Sequence, residues 1–145
     1  MITLDTHFAS YDAFHQTKGN KLTHYVGIPL IVFSTFGLLS RIPLPAPDWF
    51  SLGLVAWLGS TIYYVKLDKK RGSLFSVVTL IMYLWSRWYG WKFHLALFVI
   101  GWVLQGIGHY KYEKKSPAFL TNLTHLLIGP FWIFCKLTAP KKSAA

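Results

Sequence analysis

The sequence predicts an all-α integral membrane protein: about four transmembrane helices, an N-terminal surface helix and a C-terminal re-entrant or interfacial helix. Three observations predict it. Hydrophobic residues make up 53% of the chain and charged residues 14%, against roughly 25% charged in soluble domains. Five stretches, residues 22–40, 49–65, 72–86, 93–110 and 118–135, contain no Asp, Glu, Lys or Arg. Each is close to the ~20 residues that cross a bilayer core. The basic residues fall in the gaps between these stretches, as membrane flanks do. One such run suits a buried soluble helix, but five in 145 residues leave too little polar surface to cover them. The length fits a single membrane-embedded domain, residues 1–145.

Residues 1–19 read as a surface helix, because Leu4, Phe8, Tyr11 and His15 follow at helical steps on one face. Lys18-Gly19-Asn20 reads as a helix stop followed by a new N-cap. The first span is expected over roughly 25–40, kinked or restarted at Pro29. "RIPLPAPDW" carries three prolines and forms a short, stiff outer turn. Spans follow over roughly 49–65, 73–87 and 93–109, with "KLDKKRG" as a charged inner loop between the second and third. A fifth apolar segment near 121–136 is interrupted by Gly129-Pro130, so re-entry or an interfacial position is expected where protein covers the backbone. "MITLDTHFASYDAF" has neither the basic start nor the apolar centre of a signal peptide, and no cleavage is expected.

The formal charge of +10 raises nucleic acid as a partner. No zinc-finger spacing, RNP-like motif or glycine-rich phosphate loop is present, and the basic residues do not form one face, so nucleic acid is not expected. Membrane lipids are the expected partners of the basic loops. The lone Cys135 excludes an internal disulfide and any CxxC site. With a cytoplasmic N-terminus, one side collects Lys18, Lys21, Lys66, Lys69, Lys70, Arg71, Lys111, Lys114 and Lys115, and the other Arg41, Arg87 and Lys92. That asymmetry sets the orientation. If the fifth segment re-enters, Lys136, Lys141 and Lys142 join the inner set.

This topology sorts the histidines. His15, His24, His109 and His125 fall on the inner side together with Glu113, the single glutamate of the chain. His94 lies at the outer end of the fourth span and His7 near the terminus, and neither is assigned a role. Gln105, His109 and Glu113 follow at steps of four, on one helical face with Trp102 one turn before. Asn20 and His24 share that spacing, and Tyr11 shares a face with His15. Neutral imidazoles and a carboxylate at a membrane boundary satisfy one another through a divalent metal, which keeps the rings deprotonated and the acid ionised. His residues plus one carboxylate, with positions left open, suit non-haem iron; the same donors also take zinc or manganese. The plainer reading of an isolated His-x3-Glu is a hydrogen-bonded pair, and that of Trp102 an interface anchor.

"YDAFHQTKGNKLTHYVGIP" and "GWVLQGIGHYKYEKKSPAF" carry a further signal. Tyr11, His15, Asn20, His24 and Pro29, then Trp102, Gln105, Gly108, His109, Glu113, Pro117 and Ala118, and later Gly129-Pro130, resemble the family of small membrane 2-hydroxy fatty acid dioxygenases. That family is known from fungal phytosphingosine breakdown in the endoplasmic reticulum. The resemblance implies an iron(II)-dependent alpha-oxidation, in which a 2-hydroxy fatty acid and dioxygen give a fatty acid one carbon shorter. It implies His15, His24, His109 and Glu113 as metal ligands or their supports, with Tyr11, Asn20 or Gln105 hydrogen-bonding ligands or substrate. His125 joins the metal candidates on topology alone. The expected location is a bacterial inner membrane or the endoplasmic reticulum, with a cytoplasmic-side site. A zinc-dependent lipid hydrolase, another lipid-modifying metalloenzyme and a non-catalytic membrane protein are the alternatives.

Overall fold

The computed structural model describes residues 3–47, 49–120 and 122–139; Lys141 and Lys142 of the basic count lie outside them. The chain forms α1 (Leu4–Ala13), α2 (Lys18–Leu39), α3 (Leu52–Leu67), α4 (Lys69–Ser86), α5 (Trp91–Gly106) and α6 (His125–Thr138). A π-helical turn, Ile107–Glu113, continues α5, and a 3-10 turn, Ala118–Leu120, precedes α6. No strand occurs among the described residues.

The framework is the antiparallel pair of α2 and α5, which pack on each other more extensively than any other two helices. Glycines let the backbones approach. A β-carbon on Gly27 would stand 2.9 Å from the Gly101 carbonyl oxygen, and one on Gly101 would stand 2.9 Å from that of Gly27. Both are closer than a real side chain tolerates. α3 and α4 form a hairpin around a single residue, Asp68, whose carboxylate accepts from the Arg71 N–H at 2.8 Å and caps α4. α1 and α6 close the end of the bundle at which α2 begins. There the Trp132 indole donates to Asp12 at 3.0 Å, and Tyr11, Ile28, Ile128, Trp132 and Ile133 form a buried cluster.

Several local expectations are corrected. The break between α1 and α2 lies before Lys18: Thr17 is the N-cap, its hydroxyl accepting from the Asn20 N–H at 3.3 Å. Gly19 and Asn20 lie inside the first turn, so Lys18-Gly19-Asn20 is a helix start rather than a stop. Pro29 does not restart α2, and Gly129-Pro130 does not break α6; both helices are continuous through their prolines. A proline deletes one ladder hydrogen bond, and packing on both helices outweighs that loss. α6 is 14 residues long, about 21 Å, too short for a ~30 Å bilayer core.

His94 also departs from its expected place at an interface. It is fully buried, and its Nε2 donates to the Ser86 carbonyl at 2.8 Å. Its ring fills the space beside Gly37, where any side chain would collide with it. His94 thereby fastens α2, α4 and α5 at the end opposite His15, where Arg41 also donates to the carbonyls of Arg87 and Tyr89.

Two of the four expected spans have the length and apolar character to cross a membrane. They are α2, with 22 residues, and α5 with its π extension, with 23. α3 stops at 16 residues, and α4 spends its first turn on Lys69, Lys70 and Arg71. Large apolar side chains nonetheless project outward along α3, α4 and α5, among them Leu58, Ile62, Ile81, Leu84, Val99 and Val103.

The α2–α5 contact generates a stability prediction. Gly101→Leu overpacks the crossing and is expected to destabilise the protein by about 2–3 kcal/mol. Gly59→Ala on α3, with open space around it, is expected to stabilise by about 0.5–1 kcal/mol. Thermal unfolding of the two variants in one detergent checks both signs.

Candidate metal centre

Three imidazoles converge where α1, α2 and the π-helical turn meet. Among the described residues, His15, His24 and His109 form the one group of potential metal ligands whose donor atoms all lie within 4.8 Å of one another. All three are almost completely buried. Their ring orientations are set by the backbone. His15 Nδ1 donates to the Tyr11 carbonyl at 2.7 Å, and His24 Nδ1 donates to the Asn20 carbonyl at 2.9 Å. Each bond spans four residues and leaves Nε2 of its ring as a lone pair directed inward.

Those lone pairs have too few protons to meet. His15 Nε2 has no hydrogen-bond partner among the described residues, nor has His109 Nδ1. His24 Nε2 and His109 Nε2 stand 3.2 Å apart. Two imidazole nitrogens bound at ~2.1 Å to one ion lie about 3 Å apart, so this spacing suits a shared cation. Burial, with the neighbouring His109, lowers the His15 pKa to about 4, although the Tyr11 carbonyl works the other way. The ring is neutral near pH 7, as a ligand must be.

The π turn places His109. Gly108 lies against α2, and a side chain there would run into Asn20 and Thr23 and come within 3.2 Å of the His24 ring. Lys114 ends the turn in the left-handed region, at φ 56°, and its N–H and that of Lys115 both point to the His109 carbonyl. Local π windings recur at functional sites because they re-aim side chains. Here the turn closes on the start of α2, and Glu113 reaches Gln16, Thr17 and Asn20.

Glu113 consequently stands outside the histidine group. Its Oε1 accepts from the Gln16 N–H at 3.0 Å. Its Oε2 accepts from the Thr17 N–H at 3.1 Å, the Thr17 hydroxyl at 3.0 Å and the Asn20 amide at 3.0 Å. The carboxylate therefore holds the backbone just after His15 and the side chain of Asn20, whose own carbonyl orients His24. Gln16 and Thr17 were not marked by any sequence pattern; their part is played by main-chain N–H groups, which every residue carries.

The remaining candidates surround the cluster. Tyr11 stacks on His15 with ring centroids 4.0 Å apart and 10° between planes, and burial raises its pKa, so its hydroxyl keeps its proton. Gln105 is buried, and its amide nitrogen has no partner among the described residues. His125 is set apart, edge-on to Tyr11 at 5.7 Å with Nε2 beside the Ser10 hydroxyl at 3.2 Å. Tyr11, the three clustered histidines, Gln105, His125 and Trp102 all line one cavity of ≈ 70 Å³. Trp102 is thus a wall of that cavity as well as a packing residue. Trp132, which sequence reasoning passed over, backs Tyr11 at 5.2 Å.

A family model described as 2-hydroxy-palmitic acid dioxygenase Mpo1-like matches residues 1–140. The 2-hydroxy-palmitic acid dioxygenase MPO1 of Saccharomyces cerevisiae is 31% identical over 140 residues, covering 92% of this chain and 78% of that protein. No solved structure matches. The matched residues include every element that carries the histidine cluster, and the chain belongs to the Mpo1-like family.

Proposed function

We propose that this protein is a membrane-embedded, iron(II)-dependent dioxygenase that shortens 2-hydroxy fatty acids by one carbon. The observation that carries the reading is the convergence of three buried imidazoles, two of them with an unpaired ring nitrogen, in a chain of this family. His15, His24 and His109 hold the metal. When bound, ferrous iron supplies Lewis acidity and the electron chemistry that dioxygen requires. The balance is closed without a further reductant. The 2-hydroxy acid and dioxygen become the shortened acid, carbon dioxide and water, as the bond between the carboxyl and hydroxyl-bearing carbons breaks and dioxygen takes up four electrons.

The chain's own residues account for binding and orientation. Gln105 offers its unpaired amide N–H to an oxygen of the substrate's hydroxy-acid head. Tyr11 packs on His15 and keeps its ring in place. The apolar walls, including Trp102 and Phe119, exclude water from the reacting end. α2 and the extended α5 cross the bilayer, the α3–α4 hairpin inserts beside them, and the histidine end faces the cytoplasm with the excess of Lys and Arg.

A second reading keeps the site and changes the metal. Three histidines with an open position are also the donor set of catalytic zinc, and Glu113 stands apart from them. Metal content and dioxygen uptake separate the two readings.

Anaerobically iron-loaded protein is expected to bind one iron per chain and to consume dioxygen with 2-hydroxypalmitate, releasing equal carbon dioxide. Zinc retention without dioxygen uptake would overturn the proposal. His24→Ala is expected to lose the metal. Glu113→Gln is expected to weaken metal binding about 10–100-fold through the misplaced His15 and His24 and to cost about 3 kcal/mol of stability; titration calorimetry and thermal unfolding read the two effects. Gln105→Leu is expected to raise KM about tenfold by removing one charge-assisted hydrogen bond. Its Tm should not fall, because a buried unpaired amide is removed.

A further inference from the structure

The ≈ 70 Å³ histidine cavity is too small for a fatty acid, but it does not end at its own walls. Ile31, Val32, Trp102, Leu126 and Pro130 line it and also line a second, larger cavity of ≈ 380 Å³. That volume falls within the range of small-molecule sites, roughly 300–1,000 Å³. The second cavity runs from this shared neck between α2, α3, α4 and α5, and reaches Phe36, Ala56, Ser60 and Thr79. Along α2, His24, Ile28, Ile31, Val32 and Phe36 mark the path at helical spacing. From His24 to Phe36 is about 18 Å, the reach of a long acyl chain.

Its chemistry is that of hydrocarbon. Three of its four hydroxyls are engaged by the protein: Ser60 donates to the Trp57 carbonyl at 2.9 Å, Thr79 to that of Ser76 at 3.1 Å and Tyr64 to that of Leu127 at 2.9 Å. Beyond these, the Thr35 hydroxyl and the Trp102 indole N–H stand in walls that are otherwise apolar. Phe36, buried against Tyr83 with ring centroids 6.1 Å apart, closes the far end on the α2 side.

We propose that this second cavity is the channel for the substrate's acyl chain and that Phe36, Ala56, Ser60 and Thr79 at its far end set the preferred chain length. The inference rests on the dioxygenase reading for the head group at the histidines, and adds the path and the end wall. A chain whose terminal methyl reaches the wall gains the full burial of its methylenes. A longer one must bend back or leave the channel.

The test is a chain-length series from 2-hydroxyoctanoate to 2-hydroxystearate with the iron-loaded full chain in detergent. In Ala56→Phe, the ratio of kcat/KM for long over short acids is expected to fall about fourfold for each methylene displaced. Ser60→Leu, a smaller change on the same helix, should shift the ratio in the same direction. An unchanged ratio in both variants, or an equal loss at every chain length, overturns the inference while leaving the dioxygenase reading intact. A metal-independent measurement accompanies it: a 2-hydroxy acid brominated in mid-chain is expected to quench tryptophan fluorescence in the wild type and less in Trp102→Phe. Quenching without turnover of any acid would uphold the channel and overturn the dioxygenase reading. Equal quenching of Trp102 by a brominated phospholipid, undiminished by added 2-hydroxypalmitate, would make the channel a lipid groove and overturn the inference.

Discussion

The site depends on one carboxylate that does not join it. Glu113 receives four hydrogen bonds from Gln16, Thr17 and Asn20, and those residues begin α2 and precede it directly. The first turn of α2 contains no acidic residue of its own, so its positive end and free N–H groups are met by an acid from the far side of the sequence. The same contact holds His15 through the adjoining backbone, His24 through Asn20, and His109 through the turn that carries both. Three candidate ligands from three segments are thereby tied to one interaction. A hydrogen bond to a charged group is worth roughly 1.5–3 kcal/mol, and four converge on this one carboxylate.

Much of this was legible in the sequence. Apolar runs and their basic flanks announced a helical chain, and the order of the expected spans gathered His15, His24, His109, His125 and Glu113 at one end. The illegible part has definite causes. No local pattern marks Ile107–Glu113 as π, and no step of four tells that Glu113 turns to Gln16, Thr17 and Asn20 across the bundle rather than to His109. Pro29 and Pro130 misled for a related reason. Proline costs a helix about 3 kcal/mol in isolation, yet Ile128, Phe131 and Trp132 around Pro130 are fully or almost fully buried, and their packing overrides it. His94 had no charged or patterned neighbour to betray its burial; its partner is the Ser86 carbonyl.

The two ends of the α2–α5 pair use the same device for different purposes. At one end Gly37 makes room for the His94 ring, which spends its Nε2 proton on the Ser86 carbonyl and fastens three helices. At the other, Gly108 lets His109 approach His24, their Nε2 atoms meeting at 3.2 Å, while His15 Nε2 and His109 Nδ1 have no partner among the described residues. Buried polar groups in folded proteins are nearly always paired. The cluster departs from this rule at His15 Nε2 and His109 Nδ1, and the proposed metal would meet that need.

The separation of Glu113 from the histidines bears on what the proposed centre accepts. Three neutral imidazoles leave both charges of a divalent cation uncompensated in a buried pocket. A carboxylate ligand would cancel one of them, but Glu113 is committed to backbone and amide donors instead. In the proposed reading a bound ligand supplies the balancing negative charge, because an uncompensated buried charge is costly. A neutral lipid brings none, and a simple alcohol brings none near neutral pH. A fatty acid with a hydroxyl beside its carboxylate brings a full negative charge and a second oxygen at chelating distance, with the unpaired Gln105 amide nearby to hold the head group. In the proposed reading, a glutamate reserved for the scaffold leaves the head group of the substrate to complete the electrostatics of the site.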